Sequence, residues 1–218
     1  MKNTIIFDLD GLLIDSERIT CRLYQHMLSQ YGCSLSLSEY AEYYSGKTAV
    51  ENMTDLVNAF RIPLTVREGL NRMGELEHRY LEEGIPLKKG AGELLFYLKE
   101  NKYKTVLASS STEDRAIKIL GYHHLTDIFD AMVFGAEVKR GKPEPDVFLK
   151  ACEKIKEPAE NCLVLEDSEA GIQAAFAAGI PVICIPDVKK PAVKYLRLTA
   201  AVLDSLAEVK GYLEKDTP

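Results

Sequence analysis

Two carboxylates stand one residue apart at Asp8 and Asp10, directly after the apolar run Ile5-Ile6-Phe7 and before Gly11. On an extended chain successive side chains point to opposite faces, so Asp8 and Asp10 project to the same side. Held that close they repel each other, and the repulsion calls for a bound divalent cation, a shared proton, or both. Such a pair suits phosphoryl chemistry at a metal. The same residues also describe a strand running into an Asp-rich turn that caps a helix, so the other polar clusters must separate the two readings.

Three more clusters follow apolar runs. Ser109 ends the second run, with Ser110, Ser111 and Thr112 behind it. Hydroxyl and backbone N–H groups at a helix start can hold phosphate oxygens, while Ser111 and Thr112 serve equally well as helix caps. Lys142 lies in a loop stiffened by Gly141, Pro143 and Pro145. It is either a solvated surface charge or the point charge that neutralises Asp8 and holds a phosphoryl oxygen. Glu166 and Asp167 end a further run. Acids there are favoured by a helix dipole, and Asp167 also suits a hard cation that needs more oxygens than the first loop supplies. An acid pair, a hydroxyl, a lysine and a second acid pair together supply a nucleophile, metal ligands, charge-neutralising donors and a proton donor, which is what phosphoryl transfer requires.

For these groups to meet, their strands must lie side by side. Beyond the first run, short apolar stretches at 105–108, 131–134, 162–165 and 181–185 read as strands, separated by helical patterns at 91–100, 112–120, 145–156 and 169–178. This alternation predicts an α/β fold, a Rossmann-like parallel sheet with helices on both faces, whose ligands bind at the carboxyl ends of the strands. Pro145 suits a first helical position, Ser111 with Asp114 approximates a capping box, and Gly179 ends a helix before Pro181. The segment 16–83 breaks the rhythm. It contains amphipathic helical patterns, one with Ile19, Leu23, Met27, Leu28 and Tyr31 on a single face and another over 65–81. A small all-helical insertion after strand one would sit above the strand ends. The expected division is therefore a core of residues 1–15 and 84–218 and a helical cap of residues 16–83.

The chain has 218 residues, 46% hydrophobic and 28% charged, with a formal net charge of −6. That balance excludes the basic footprint of a nucleic-acid or anionic-membrane binder, and an anionic substrate would need positive charge gathered locally. The five cysteines show no Cys-x-x-Cys spacing and the four histidines no zinc-site arrangement. Asp8 and Asp10 interrupt the apolar N-terminus too early for a signal-peptide core, and there is no uncharged run of bilayer-spanning length. Free thiols and these absences predict a cytoplasmic protein.

Asp8-Leu9-Asp10-Gly11-Leu12-Leu13-Ile14-Asp15-Ser16, Ser109, Lys142 and Glu166-Asp167 resemble the four signature loops of the haloacid dehalogenase-like hydrolases. More narrowly, the chain is similar to the branch with a small helical cap that includes sugar-phosphate phosphatases and β-phosphoglucomutase. The resemblance implies that Asp8 is the nucleophile and forms an aspartyl-phosphate, and that Asp10 protonates the leaving alcohol and then activates water. Ser109 and Lys142 would hold the phosphoryl oxygens. Mg²⁺ would be bound by the Asp8 carboxylate, the Asp10 backbone carbonyl and Asp167, with Glu166 nearby as a second acid. Ser110 and the cap loop Gly46-Lys47-Thr48 are the expected substrate contacts, although Lys47 also reads as a solvated loop lysine. Mutases of this branch keep a histidine on the first cap helix and an arginine in the cap loop, where this chain has Thr20 and Ala49. Relatives that cleave carbon–phosphorus bonds lack the second aspartate, and dehalogenation needs neither Mg²⁺ nor Asp10. A phosphorylatable receiver module would be about half this length with no insertion. The resemblance thus implies a Mg²⁺-dependent phosphatase of a small phosphorylated metabolite, a monomer or weak oligomer. A phosphosugar mutase of the β-phosphoglucomutase type is the alternative.

Overall fold

The computed structural model describes residues 2–215. The apolar runs form six parallel strands: β1 (Thr4–Phe7), β2 (Lys104–Ser109), β3 (Ala131–Phe134), β4 (Cys162–Glu166), β5 (Val182–Cys184) and β6 (Ala201–Val202). Their order in the sheet is β3-β2-β1-β4-β5-β6. The first three strands build outward from β1 in one direction and the last three in the other. The reversal beside β1 opens a crevice at the carboxyl ends, where doubly wound sheets bind ligands. Five strands were expected. The sixth, two residues long, lies in the run Ala200-Ala201-Val202-Leu203, whose alanines are weak strand formers, and it is fixed by backbone bonds from Ala200 N–H to Val182 O and from Leu203 N–H to Cys184 O.

Helices α1 (Ser16–Ser29), α2 (Leu37–Tyr43), α3 (Ala49–Phe60), α4 (Val66–Glu83) and α5 (Ala91–Glu100) all lie between β1 and β2. The remaining connections carry α6 (Glu113–Tyr122), α7 (Asp146–Ile155), α8 (Glu169–Ala177) and α9 (Val193–Leu196), and α10 (Val209–Lys215) follows β6. Period-two alternation divides the strand side chains between two cores. Ile5, Phe7, Leu107, Leu163, Leu165 and Ile183 pack with Leu95 of α5 and Ile119 of α6. Ile6, Val106, Ala108, Val164 and Val182 face the other way, against Phe148 of α7 and Ile172 of α8. Both faces of the sheet are therefore covered.

A third cluster belongs to the inserted helices and gathers Tyr24, Met27, Leu28, Tyr40, Met53 and Leu56. The single apolar face read on α1 is in fact divided: Ile19 and Leu23 join the sheet-side core, while Met27 and Leu28 join the helical cluster. The start of α1 thus packs on the sheet unit and its end on the inserted helices. Two chain passages join the units as a short antiparallel ribbon, with Asp15 N–H donating to Pro86 O at 2.8 Å and Lys88 N–H to Leu13 O at 2.8 Å. Two local expectations are corrected. Pro145 is the N-cap of α7, one position before the first helical residue. The N-cap of α6 is Thr112, with no side-chain cap bond, so the Ser111–Asp114 capping box does not form. No helix among the described residues is long and apolar enough to cross a membrane.

Candidate active site

Strand register brings the polar clusters together. Phe7 pairs with Leu107 on one side and Leu165 on the other. The residues that follow, Asp8, Ala108-Ser109 and Glu166, therefore share one rim of the sheet. There Lys142 Nζ donates to Asp8 Oδ1 at 2.5 Å and to Glu166 Oε1 at 2.6 Å, and its ammonium stands 4.9 Å from the centre of the Phe148 ring. The Lys142 and Asp8 side chains are only 7% and 10% exposed, so this lysine is no solvated surface charge. Burial alone would depress the Lys142 ammonium, but Asp8 and Glu166 outweigh it and lift it above its ordinary value.

Glu166 is an anchor on both sides. Its second oxygen accepts from the Asp167 and Ser168 N–H groups, both at 2.8 Å, and from Ser168 Oγ at 2.9 Å. Burial opposes ionisation of Glu166, yet Lys142 and the Ser168 donors hold its carboxyl below the usual value. The first turn of α8 passes so close that a Cβ at Gly171 would collide with this carboxylate. Glu166 lies among the potential metal ligands, but with both oxygens occupied its clearest role is to fix Lys142 and the loop.

The electrostatics leave negative charge that a further cation or a retained proton would relieve. Oxygens of Asp8, Glu166 and Asp167 all lie within 4.8 Å of one another, three carboxylates to one ammonium. Burial dominates at Asp8; Lys142 opposes it and Glu166 adds to it, and the carboxyl is raised to about 7. Asp167 is pushed well above its ordinary range by burial and by Glu166 and Asp8. Asp187, which follows β5, has a side chain 4% exposed and a buried Oδ2 with no hydrogen-bond partner. Its other oxygen accepts from Lys88. Gly11, at φ +81°, turns the first loop beneath these acids, and a Cβ there would meet Asp167 Oδ2. An oxygen-rich, under-neutralised cradle of this kind fits a hard divalent cation.

Ser109 ends β2, is 1% exposed, and its Oγ accepts from the Ser111 N–H at 3.0 Å. Asp10 is engaged elsewhere: both of its carboxylate oxygens face Arg115. A cavity of about 510 Å³ opens over the rim and is lined by Asp8, Asp10, Ser109, Ser110, Lys142 and Asp167. Gly46, Lys47 and Thr48 reach it from the inserted helices, but two of them are occupied there. Lys47 pairs with Asp55 at 2.8 Å, and the Thr48 hydroxyl forms the capping box of α3 with Glu51. Glu17 also lines the cavity and accepts from Ser45 Oγ at 2.6 Å and Tyr40 OH at 3.2 Å. Sequence reasoning missed Glu17, Asp187 and Arg115. Asp187 was findable as one more acid just past a strand end, whereas Glu17 looks like any first-turn helix acid and Arg115 like any helix-surface arginine.

The chain as a whole is similar to proteins already known. The chain is 32% identical to a phosphorylated carbohydrates phosphatase of Thermotoga maritima, over 81% of each chain. It is 31% identical to a β-phosphoglucomutase of Bacillus subtilis, over 81% of this chain and 80% of the other. A bifunctional riboflavin kinase/FMN phosphatase of Arabidopsis thaliana is 32% identical over 99% of this chain, which spans 56% of that protein's length. Among solved structures, a haloacid dehalogenase family hydrolase of Deinococcus radiodurans with bound phosphate and sodium superposes with a TM-score of 0.85 at 27% identity, covering 98% of this chain and 96% of the other. The family model for haloacid dehalogenase-like hydrolases matches residues 5–185, a span that runs from β1 past β5 and takes in the acids, hydroxyls and lysines described above apart from Asp187, and the chain belongs to that family.

Proposed function

We propose that this protein is a Mg²⁺-dependent phosphatase acting on a small phosphorylated metabolite, a sugar or polyol phosphate, with residues 16–83 serving as its cap. The observation that carries the reading is the buried Asp8–Lys142 pair at the sheet rim, with the Asp167 carboxylate beside it and a cavity above. An Asp8 oxygen attacks phosphorus, the bond from phosphorus to the ester oxygen breaks, and Asp10 gives its proton to the leaving alcohol. Water then attacks the phosphorus of the aspartyl-phosphate. Asp10 takes the proton from that water, and inorganic phosphate leaves with Asp8 regenerated. Lys142 and Ser109 hold the non-bridging oxygens while charge redistributes. Asp8, Asp167 and the Asp10 backbone carbonyl are the groups that would hold Mg²⁺, which when bound supplies positive charge at the phosphoryl oxygens.

The cavity volume suits a sugar-sized ester, and its Glu17 carboxylate and Ser45 hydroxyl oxygen offer acceptors to a polyhydroxylated body. The five cysteines are free, consistent with the reducing cytoplasm, and a monomer or weak oligomer is sufficient, since every side chain invoked comes from this chain. Similarity to the Bacillus β-phosphoglucomutase supports a second reading, a phosphosugar mutase; Thr20 and Ala49, where such mutases carry histidine and arginine, weigh against it. The test is release of nitrophenol from p-nitrophenyl phosphate. Turnover that needs Mg²⁺ and stops with chelator is expected, and no metal-dependent release would overturn the reading. Given β-glucose 1-phosphate and a bisphosphate primer, the protein should release free phosphate faster than glucose 6-phosphate; the reverse order would establish the mutase.

A further inference from the structure

Asp10 sits on a loop with its side chain 35% exposed, yet it is held from behind. Arg115 Nη1 lies 2.9 Å from Asp10 Oδ1 and 3.0 Å from Oδ2, its Nε donates to Glu77 Oε1 at 2.8 Å, and Nη1 also donates to Ser111 Oγ at 3.0 Å. These partners come from the loop after β1, from α4 of the inserted helices and from the loop between β2 and α6. The arginine side chain is 20% exposed and does not line the cavity, whereas Asp10 does. Ser111, one residue before the α6 N-cap Thr112, takes no part in capping that helix and meets the guanidinium. We propose that Arg115, clamped by Glu77, is a positioning residue that fixes the Asp10 carboxylate for proton transfer and ties it to the inserted helices.

The physical argument concerns orientation. A proton donor must stand within hydrogen-bond distance of the leaving oxygen, and a free aspartate on a loop loses side-chain entropy when it is fixed there. A planar guanidinium holding a carboxylate on one edge and Glu77 on the other supplies that order in advance. Because Glu77 belongs to α4, displacement of the inserted helices would pull on the arginine and through it on Asp10. Arg115 exchanges no proton and touches no substrate.

The inference rests on the phosphatase reading, and its test separates the two. Proton donation matters for an alkyl ester such as glycerol phosphate, whose alkoxide is a poor leaving group, and little for p-nitrophenyl phosphate. Arg115→Met should lower kcat on the alkyl ester about tenfold or more beyond any loss on the aryl ester, with KM changed less than about threefold. Arg115→Lys should restore part of the loss, and Glu77→Gln should show the same pattern more weakly. Equal losses on both esters with an unchanged circular dichroism spectrum, or no loss on either, would overturn the proposal. If the unsubstituted protein hydrolyses neither ester, the phosphatase reading falls. The clamp is then decided by Tm alone: non-additive changes across Asp10→Asn, Arg115→Met and the double variant support it, and additive changes overturn it.

Discussion

Lys142 is the residue on which the charge arrangement turns. It is the ammonium that meets both Asp8 and Glu166, and both carboxylates are buried with it. Breaking such an arrangement by removing one member leaves the others uncompensated in a dry environment, which costs about 3–5 kcal/mol. Lys142→Ala should therefore destabilise the fold by about 3 kcal/mol in urea titration as well as abolish turnover; a loss below about 1 kcal/mol would show that water reaches the acids. Much of this site was legible at the scale of single residues, for a local reason. Asp8, Ser109, Glu166 and Asp167 each follow an apolar strand, so alternation and sheet geometry fix where they project. Arg115 was not legible, because its partners Asp10 and Glu77 lie 105 and 38 residues away in sequence and no spacing announces them.

At the scale of elements, the inserted helices are stabilised at their starts as well as along their packed faces. Helices α2, α3 and α4 each begin with a reciprocal capping box, Ser36 with Glu39, Thr48 with Glu51 and Thr65 with Glu68. All three fit the Ser/Thr-x-x-Glu pattern and could have been read beforehand, as α1's divided face could not, since which half of a helix meets which unit is decided by tertiary packing. Thr65→Ala should cost about 1 kcal/mol of stability in chemical denaturation. The caps also set a pH dependence. Bonds from the Thr65 side chain and backbone hold the Glu68 carboxyl below its ordinary 4.5, so below that value the unfolded chain binds more protons than the native one. The contribution is present above pH 4.5 and is lost as the pH falls through the folded value. Between about pH 5.5 and pH 3.5 the Tm of the Glu68→Gln variant should fall less than that of the unsubstituted chain; parallel falls would show that the cap bond does not form in solution.

For the whole molecule, the strand order β3-β2-β1-β4-β5-β6 makes one rim the meeting place of groups spread from Asp8 to Asp187. The alternation of strand and helix made that architecture readable, while the run around β6 is half alanine and carries little strand preference. An acidic molecule of net charge −6 that nevertheless takes an anionic ester needs its positive charge concentrated at this rim. Mg²⁺ at about a hundredfold excess over its Kd should then stabilise the native state by about 2.7 kcal/mol, a rise in Tm of about 5–10 °C for a chain of this size. Asp167→Asn should lose most of that rise, and an equal rise in the variant would place the cation elsewhere. The central claim, covalent capture of phosphorus by Asp8, is tested most directly by acid-quenching the Asp10→Asn variant during turnover of p-nitrophenyl phosphate labelled at phosphorus and mapping the label. The account predicts an acid-stable, hydroxylamine-sensitive phosphoryl group on Asp8, absent when Asp8 is also replaced by Asn. Nitrophenol released without any label on the protein, or label that persists in the double variant, would contradict it.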